Sequence, residues 1–484
     1  MISAPTLEII VLVLGLVVLM VEAFADKIEK RSLAVVGILG LGGVLVASFF
    51  LAPPPMAAAT GFWSFYSADA LAIFFKRFAL VTTILVLIMM IDYAPIVRQS
   101  IHGATHQAGL GEFFALPLFT CAGLMWMASA IDFVMIFVSL EAVTMSFYVL
   151  VAFTRRNPLS LEAGVKYLIL SALSTGFLVY GITWIFGVTG ETNLARTTEV
   201  LRSSSVEHGP ALFGMVLIMV ALGFKIAAVP FQIWVPDVYQ GAPTPVTAYL
   251  SVGSKAAGFV VLLRVLEPFF MLPEMQRLIV ALAALTLIYG NLAALPQTNL
   301  KRLLAYSSIA HAGYLLVGVA CFAGPAVSFY LVSYLLMTIL SFAVLIVVAN
   351  QTGDRIEDFN GLAQRSPFLS FAMLIAVASL AGVPFTVGFL GKFFIFDAAV
   401  RQHQTMLLVV GVITVACGFY YYLKVVRAMY WETSTRTEPV VLSGLSRVTM
   451  IGLIAGIIAF GVYPQPILNA LRPSTTSSAA SASR

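Results

Sequence analysis

Residues 211–235 read ALFGMVLIMVALGFKIAAVPFQIWV. The run is long and apolar enough to cross a bilayer core of about 30 Å, which asks for about 20 helical residues. Two of its residues have no place there on hydrophobic grounds, Lys225 and Pro230. A lysine near the bilayer centre costs at least about 2.5–3.5 kcal/mol. A proline inside a helix removes a backbone donor and clashes with the preceding turn. Lipid offers nothing to the carbonyls it frees, so protein or water must satisfy them. A span that keeps both residues reads as a broken helix beside a polar path.

The rest of the chain is built from similar runs. Of 484 residues, 60% are hydrophobic and only 10% charged, with mean hydropathy +0.99. A soluble domain carries about a quarter charged residues. The apolar runs are continuous rather than the alternating ten-residue stretches of a β-barrel, so the fold class is an all-α polytopic membrane protein. About fourteen spans fit the sequence, near 6–25, 33–52, 72–92, 112–129, 132–153, 163–187, 211–235, 243–266, 277–295, 302–322, 327–349, 367–396, 405–430 and 447–468. The first has no basic n-region and is followed by Lys27, Lys30 and Arg31. It therefore reads as a retained helix and not a secretory signal. The Ser/Ala-rich tail 473–484 reads as disordered.

Alternating crossings place Lys27, Lys30, Arg31, Arg98, Arg155, Arg156, Lys301, Arg302, Arg355, Arg365, Lys424, Arg427, Arg436 and Arg447 on one side. The other side receives Arg196, Arg202, Arg277, Arg401, Arg472 and Arg484. The positive-inside rule makes the richer side cytoplasmic and both termini periplasmic. The net charge of +5 is this topology signal; no basic cluster suggests nucleic acid. Cys121, Cys321 and Cys417 each stand alone in an apolar run, with no metal or iron–sulfur spacing. There is no GxGxxG and no P-loop, so no nucleotide site is visible.

The break at Ala227–Phe231 (AAVPF) has a counterpart at Ala381–Phe385 (AGVPF), five spans later. An odd offset makes the two copies antiparallel, the signature of an inverted-topology repeat. The expected organisation is a three-helix segment 1–110, two inverted five-helix repeats at 111–270 and 271–432, a C-terminal helix in 433–472, and the tail. Ionisable residues cluster where they are most expensive: Glu141, Lys225, Lys255 and Lys392 mid-span, Lys166 early in span six, and His311 in span ten. Burial disfavours the charged form of a carboxylate and of an amine, and an opposite charge restores it. A lysine with a carboxylate that can approach or retreat is therefore a proton switch. Lys166 is also placed to snorkel to a surface, and His311 to serve as a neutral core residue. A static buried pair is the alternative for the four central charges. Asp69 and Asp132 lie where helix caps are expected. Tyr420–Tyr422 and Trp431 read as an interfacial aromatic belt.

Residues 223–258, GFKIAAVPFQIWVPDVYQGAPTPVTAYLSVGSKAAG, closely resemble subunit N of respiratory complex I, the NADH:quinone oxidoreductase. So do 300–314, LKRLLAYSSIAHAGY, and 382–396, GVPFTVGFLGKFFIF, and the resemblance extends from the first helix to the last. Subunits M and L and cation/proton antiporter subunits share the general pattern. The run Pro236–Gly241 and the end of the chain after span fourteen favour subunit N. Many relatives carry His where this chain has Gln232, so a titrating role there is missing.

The resemblance implies a proton relay. Glu141 and Lys225 would form the carboxylate–lysine pair, Lys255 the centre, and Lys392 the outlet, with Lys166 and His311 lining the path. It implies a multi-pass protein of the bacterial inner membrane, surrounded by lipid and partnered by the other subunits of the complex. Flavin and iron–sulfur clusters would sit in those subunits, which serve the quinone pool; no cofactor is expected in this chain. A cation/proton antiporter subunit is the alternative function, and a passive scaffold the third.

Overall fold

The computed structural model describes residues 5–25, 29–50, 63–100, 109–202, 208–270, 272–433 and 438–471. The tail 473–484 lies outside them, as do Lys27, Arg436 and Arg472. The chain forms α1 (Thr6–Phe24), α2 (Lys30–Ala47), α3 (Ala70–Ser100), α4 (Leu110–Ser129), α5 (Phe133–Val151), α6 (Pro158–Thr189), α7 (Leu194–Arg202), α8 (His208–Ile226), α9 (Trp234–Gly241), α10 (Thr244–Tyr249) and α11 (Lys255–Val265). Then follow α12 (Pro273–Ala294), α13 (Leu300–Ala320), α14 (Gly324–Ala349), α15 (Leu362–Arg365), α16 (Pro367–Ala381), α17 (Val387–Arg401), α18 (Thr405–Tyr430), α19 (Gly444–Val462) and α20 (Gln465–Ala470).

Thirteen of the described helical segments are long and apolar enough to cross a membrane, with Thr244–Val265 counted as one. The shorter apolar α16 and its continuation α17 supply one more, interrupted, crossing. We call the end of the bundle where α1 begins proximal and the opposite end distal. Large apolar side chains such as Leu39, Val165, Ile169, Ile413 and Val448 face outward all round it, as lipid requires.

Asp69 and Asp132 are the expected caps. The Asp69 carboxylate accepts from the Ala72 amide at 2.8 Å, and that of Asp132 from the Val134 amide at 2.8 Å. Asp69 also holds Arg264 through two hydrogen bonds of 2.8 and 2.9 Å. Burial alone would raise its carboxyl, but the bonds and charge of Arg264 outweigh this and hold it below the usual carboxylate range. The aromatic belt is corrected in part. Tyr420 and Trp431 face outward, whereas Tyr421 and Tyr422 are buried. Successive helical residues point about 100° apart, so three in a row cannot share one face.

The core is organised on α13, of which every residue except Arg302 is buried. α12 lies along it at backbone contact: a Cβ on Gly290 would stand 2.5 Å from the Ala310 nitrogen. Without a hydrophobic drive between helices in lipid, this close packing is what associates them. We expect Gly290→Leu to separate α12 from α13 and lower the amount of assembled protein several-fold, overpacking costing about 1–3 kcal/mol or more. Gly452→Leu, on an open face with nothing within 4 Å, should assemble normally. Quantitative native gels of membranes carrying either variant check both outcomes.

Candidate functional site: a buried line of lysines

Both proline motifs break their helices. α8 stops at Ile226, and Ala227 takes a left-handed φ of 67°. The Ala228 amide then bonds back to the Gly223 carbonyl at 2.8 Å. α16 stops at Ala381, Gly382 has φ 93°, and the Val383 amide bonds the Ala378 carbonyl at 3.0 Å. Each is a Schellman-type ending, placed one residue later in the second motif. Span seven is thus a stopped helix followed by the short α9, not a kinked continuous one.

The carbonyls left open find side chains. At the first break the Trp234 indole donates to the Phe224 carbonyl at 3.0 Å, and the Val229 amide donates to the Thr286 hydroxyl at 3.0 Å. At the second break Lys392 reaches back from α17 and donates to the Leu380 and Ala381 carbonyls, both at 2.8 Å. A cation at a helix C-terminus also meets the negative end of the macrodipole. Its ammonium lies 5.0 Å from the Tyr314 ring centre.

Lys225 donates to the Thr144 hydroxyl at 3.0 Å. Thr144 lies on α5, three residues after Glu141, whose carboxylate accepts from Thr175 at 2.5 Å. Glu141 and Lys225 therefore share a neighbourhood without a direct ion pair. Lys225 packs across Gly258, where an added Cβ would lie 3.4 Å from its Cγ. Gly258 is one helical turn from Lys255. Lys255 follows a π turn at Leu250–Ser254 and donates to the Ser308 carbonyl at 2.5 Å and to the Ser308 hydroxyl. Ser307, the preceding residue on α13, shares a hydrogen bond with the Tyr422 hydroxyl. Tyr422 is 3.2 Å from His311 Nε2, and Tyr330 is 2.7 Å from His311 Nδ1. Lys225, Lys255, His311 and Lys392 are 4%, 1%, 1% and 5% exposed. They form a line across the middle of the bundle.

Among the described residues, none of these three lysines has a carboxylate within ion-pair distance. Each ammonium is held only by neutral carbonyls, hydroxyls and ring faces. Such contacts stabilise the charge less than a carboxylate would, so the proton can leave as well as stay. Lys166 stands apart. It lies at the distal rim, 39% exposed, and pairs with Glu162 and Asp237, each at 2.7 Å. Asp237 also holds Arg302 at 2.9 Å. Gln232 is buried, and its amide oxygen has no hydrogen-bond partner among the described residues.

Sequence reasoning passed over the tyrosines of the line, because a tyrosine in an apolar span looks like packing. It also passed over Lys301, 6% exposed and donating to the Ala242 carbonyl at 2.7 Å, and the buried Glu8 and Lys76. Lys301 reads in the sequence as a charge of the cytoplasmic side, and nothing there singles out Glu8 or Lys76.

A bundle with two broken helices and a row of buried titratable groups has the make-up of an ion-translocating membrane protein. The family described as "NADH:quinone oxidoreductase/Mrp antiporter, TM" matches residues 130–418. The chain is 40% identical over 471 residues to NADH-quinone oxidoreductase subunit N of Desulforamulus reducens, covering 96% of this chain and 95% of that one. It is 39% identical to the same subunit of Trichlorobacter lovleyi, covering 95% and 94%. A chain of respiratory complex I from Thermus thermophilus superposes with TM-score 0.81 at 32% identity, over 96% of this chain and 99% of that one. A chain of the Mrp complex of Dietzia superposes with TM-score 0.80 at 20% identity, which shows a shared fold. The chain belongs to the NADH-quinone oxidoreductase subunit N family.

Tyr422 is the hydroxyl that joins the Lys255 side of the line to His311. Tyr422→Phe should assemble normally yet slow proton translocation by about tenfold, equivalent to about 1.4 kcal/mol on the transfer. Proton uptake by vesicles, normalised to assembled complex, measures this.

Proposed function

We propose that this chain, the proton-translocating N subunit of a respiratory NADH:quinone oxidoreductase, moves protons along Lys225, Lys255, His311 and Lys392. Electron transfer from NADH to quinone takes place in partner subunits, which hold the flavin and iron–sulfur clusters. The observation that carries this reading is the line itself. Three lysines are fully buried, and serine, tyrosine and histidine groups that can each give and accept a proton run from the Lys255 side to His311. Among the described residues, Glu141 near Lys225 supplies the carboxylate that can tune the first of them. A scaffold would gain nothing from charges held this way.

Residues 111–270 and 271–432 act as two inverted halves, each with its broken helix, and 1–110 as a separate three-helix unit. Lysine and arginine bias supports a bacterial inner-membrane location with the distal end cytoplasmic and both termini periplasmic. Lys166, clamped with Asp237 and Arg302 at the distal rim, guards the cytoplasmic inlet. The antiporter alternative is the lesser fit, since the Mrp likeness extends to the fold while the identity lies with the quinone oxidoreductase subunits.

Glu141→Gln should impair pumping more than Glu141→Asp, because Asp keeps the charge at shorter reach. Equal, near-normal pumping in both, in complexes of verified assembly, would make Glu141 structural. Lys392→Arg tests titration at the second break. A guanidinium stays charged at any attainable pH, yet it can donate to the same carbonyls. The variant should assemble and pump several-fold more slowly. Wild-type pumping would leave Lys392 as a fixed charge capping α16.

A further inference from the structure

A second buried carboxylate and lysine lie outside this line. Glu8, in the first turn of α1, is 0% exposed, and Lys76, two turns into α3, is 1% exposed. Their charged groups are 2.8 Å apart. The Tyr66 hydroxyl donates to Glu8 Oε1 at 2.9 Å and accepts from Lys76. The other carboxylate oxygen, Oε2, is buried with no hydrogen-bond partner among the described residues. Leaving it so is costly, because a buried carboxylate stabilises a fold only when its lone pairs are satisfied.

The pair has polar connections in two directions. Toward the proximal rim stands Asp69, the cap of α3, about two turns before Lys76. Asp69 is the half-exposed partner that Arg264 grips, and Arg264 lies on α11, the helix that begins with Lys255. Toward the interior, Thr83 stands on α3 about two turns after Lys76. Thr83, on α3, is 2.7 Å from the Tyr249 hydroxyl, and Tyr249 lies in the same span as Lys255.

We propose that Glu8 and Lys76, with Tyr66, form a proton-holding pair on the proximal side, through which the three-helix unit takes part in translocation. This rests on the proton-translocating reading and extends it beyond the lysine line. A proton bound at Glu8 Oε2 neutralises the carboxylate and leaves the lysinium unpaired in a dry shell. Lys76 then gives its proton toward the Asp69–Arg264 rim. Transfer of the carboxyl proton to the neutral lysine restores the pair, so one proton enters and one leaves. A static brace would use the ion pair alone and have no need of the open oxygen.

The decisive variant is Glu8→Gln/Lys76→Met, which replaces the pair by neutral groups of similar shape. A buried pair exchanged as a whole is often neutral for stability. The variant is assembled in the complete complex, in a host lacking its own copy, beside Lys255→Met and wild type. Inverted membrane vesicles report protons taken up per NADH oxidised, at equal assembled complex. The expected result is normal assembly with a proton-to-NADH ratio lowered to that of Lys255→Met. A wild-type ratio overturns the proposal and makes the pair a brace. Failure to assemble overturns it too, since the pair's role is then in the fold. If Lys255→Met alone keeps the wild-type ratio, the lysine line has failed, and the Glu8 result still decides the pair on its own.

Discussion

A helix that stops inside a bilayer exposes carbonyls to a medium with nothing to donate, and the rest of this protein is arranged around that fact. Two spans stop, one after Ile226 and one after Ala381. At the second, the missing donor is the ammonium of Lys392, on the helix that follows. At the first, the neutral indole of Trp234 is the donor, Thr286 accepts from the Val229 amide, and Lys225 is left to hydroxyl contact. The same sequence motif thus has two chemical outcomes. In one the lysine holds the break together; in the other it is spared for its neighbours.

The line between the breaks depends on α13. Because nearly every residue of that helix is buried, its small polar groups, Ser307, Ser308 and His311, meet helices on all sides. They receive Lys255 from α11, Tyr422 from α18 and Tyr330 from α14. Its backbone contact with α12 fixes its rotation, and with it the spacing of the line.

Much of this was legible in the sequence. Spans came from apolar length, the two breaks from matched AAVPF and AGVPF pentapeptides, and the central lysines from their cost in lipid. The caps at Asp69 and Asp132 followed from a short acidic residue ahead of an apolar run. What was not legible were relations across the bundle. A direct Glu141–Lys225 pair was expected, but Lys225 bonds Thr144 and Glu141 bonds Thr175 instead. Lys166 and Lys76 both look like lysines early in a span. Tertiary packing alone sends one to the rim and the other, opposite Glu8, into the dry interior. Tyr422 sits in a run of three tyrosines whose order cannot say which one turns inward.

The π turn at Leu250–Ser254 gives the span of α10 and α11 one residue more than a regular helix of the same rise would hold. Each residue rotates a helix by about 100° and advances it about 1.5 Å. The surplus therefore sets the azimuth of everything after it, beginning with Lys255. Iron the bulge out, and Lys255 would swing by more than a quarter turn, away from Ser308, while α10 stayed in register with Thr83. The π turn is the phase adjuster between the two parts of the span, and the continuity of the lysine line is written in a single supernumerary residue.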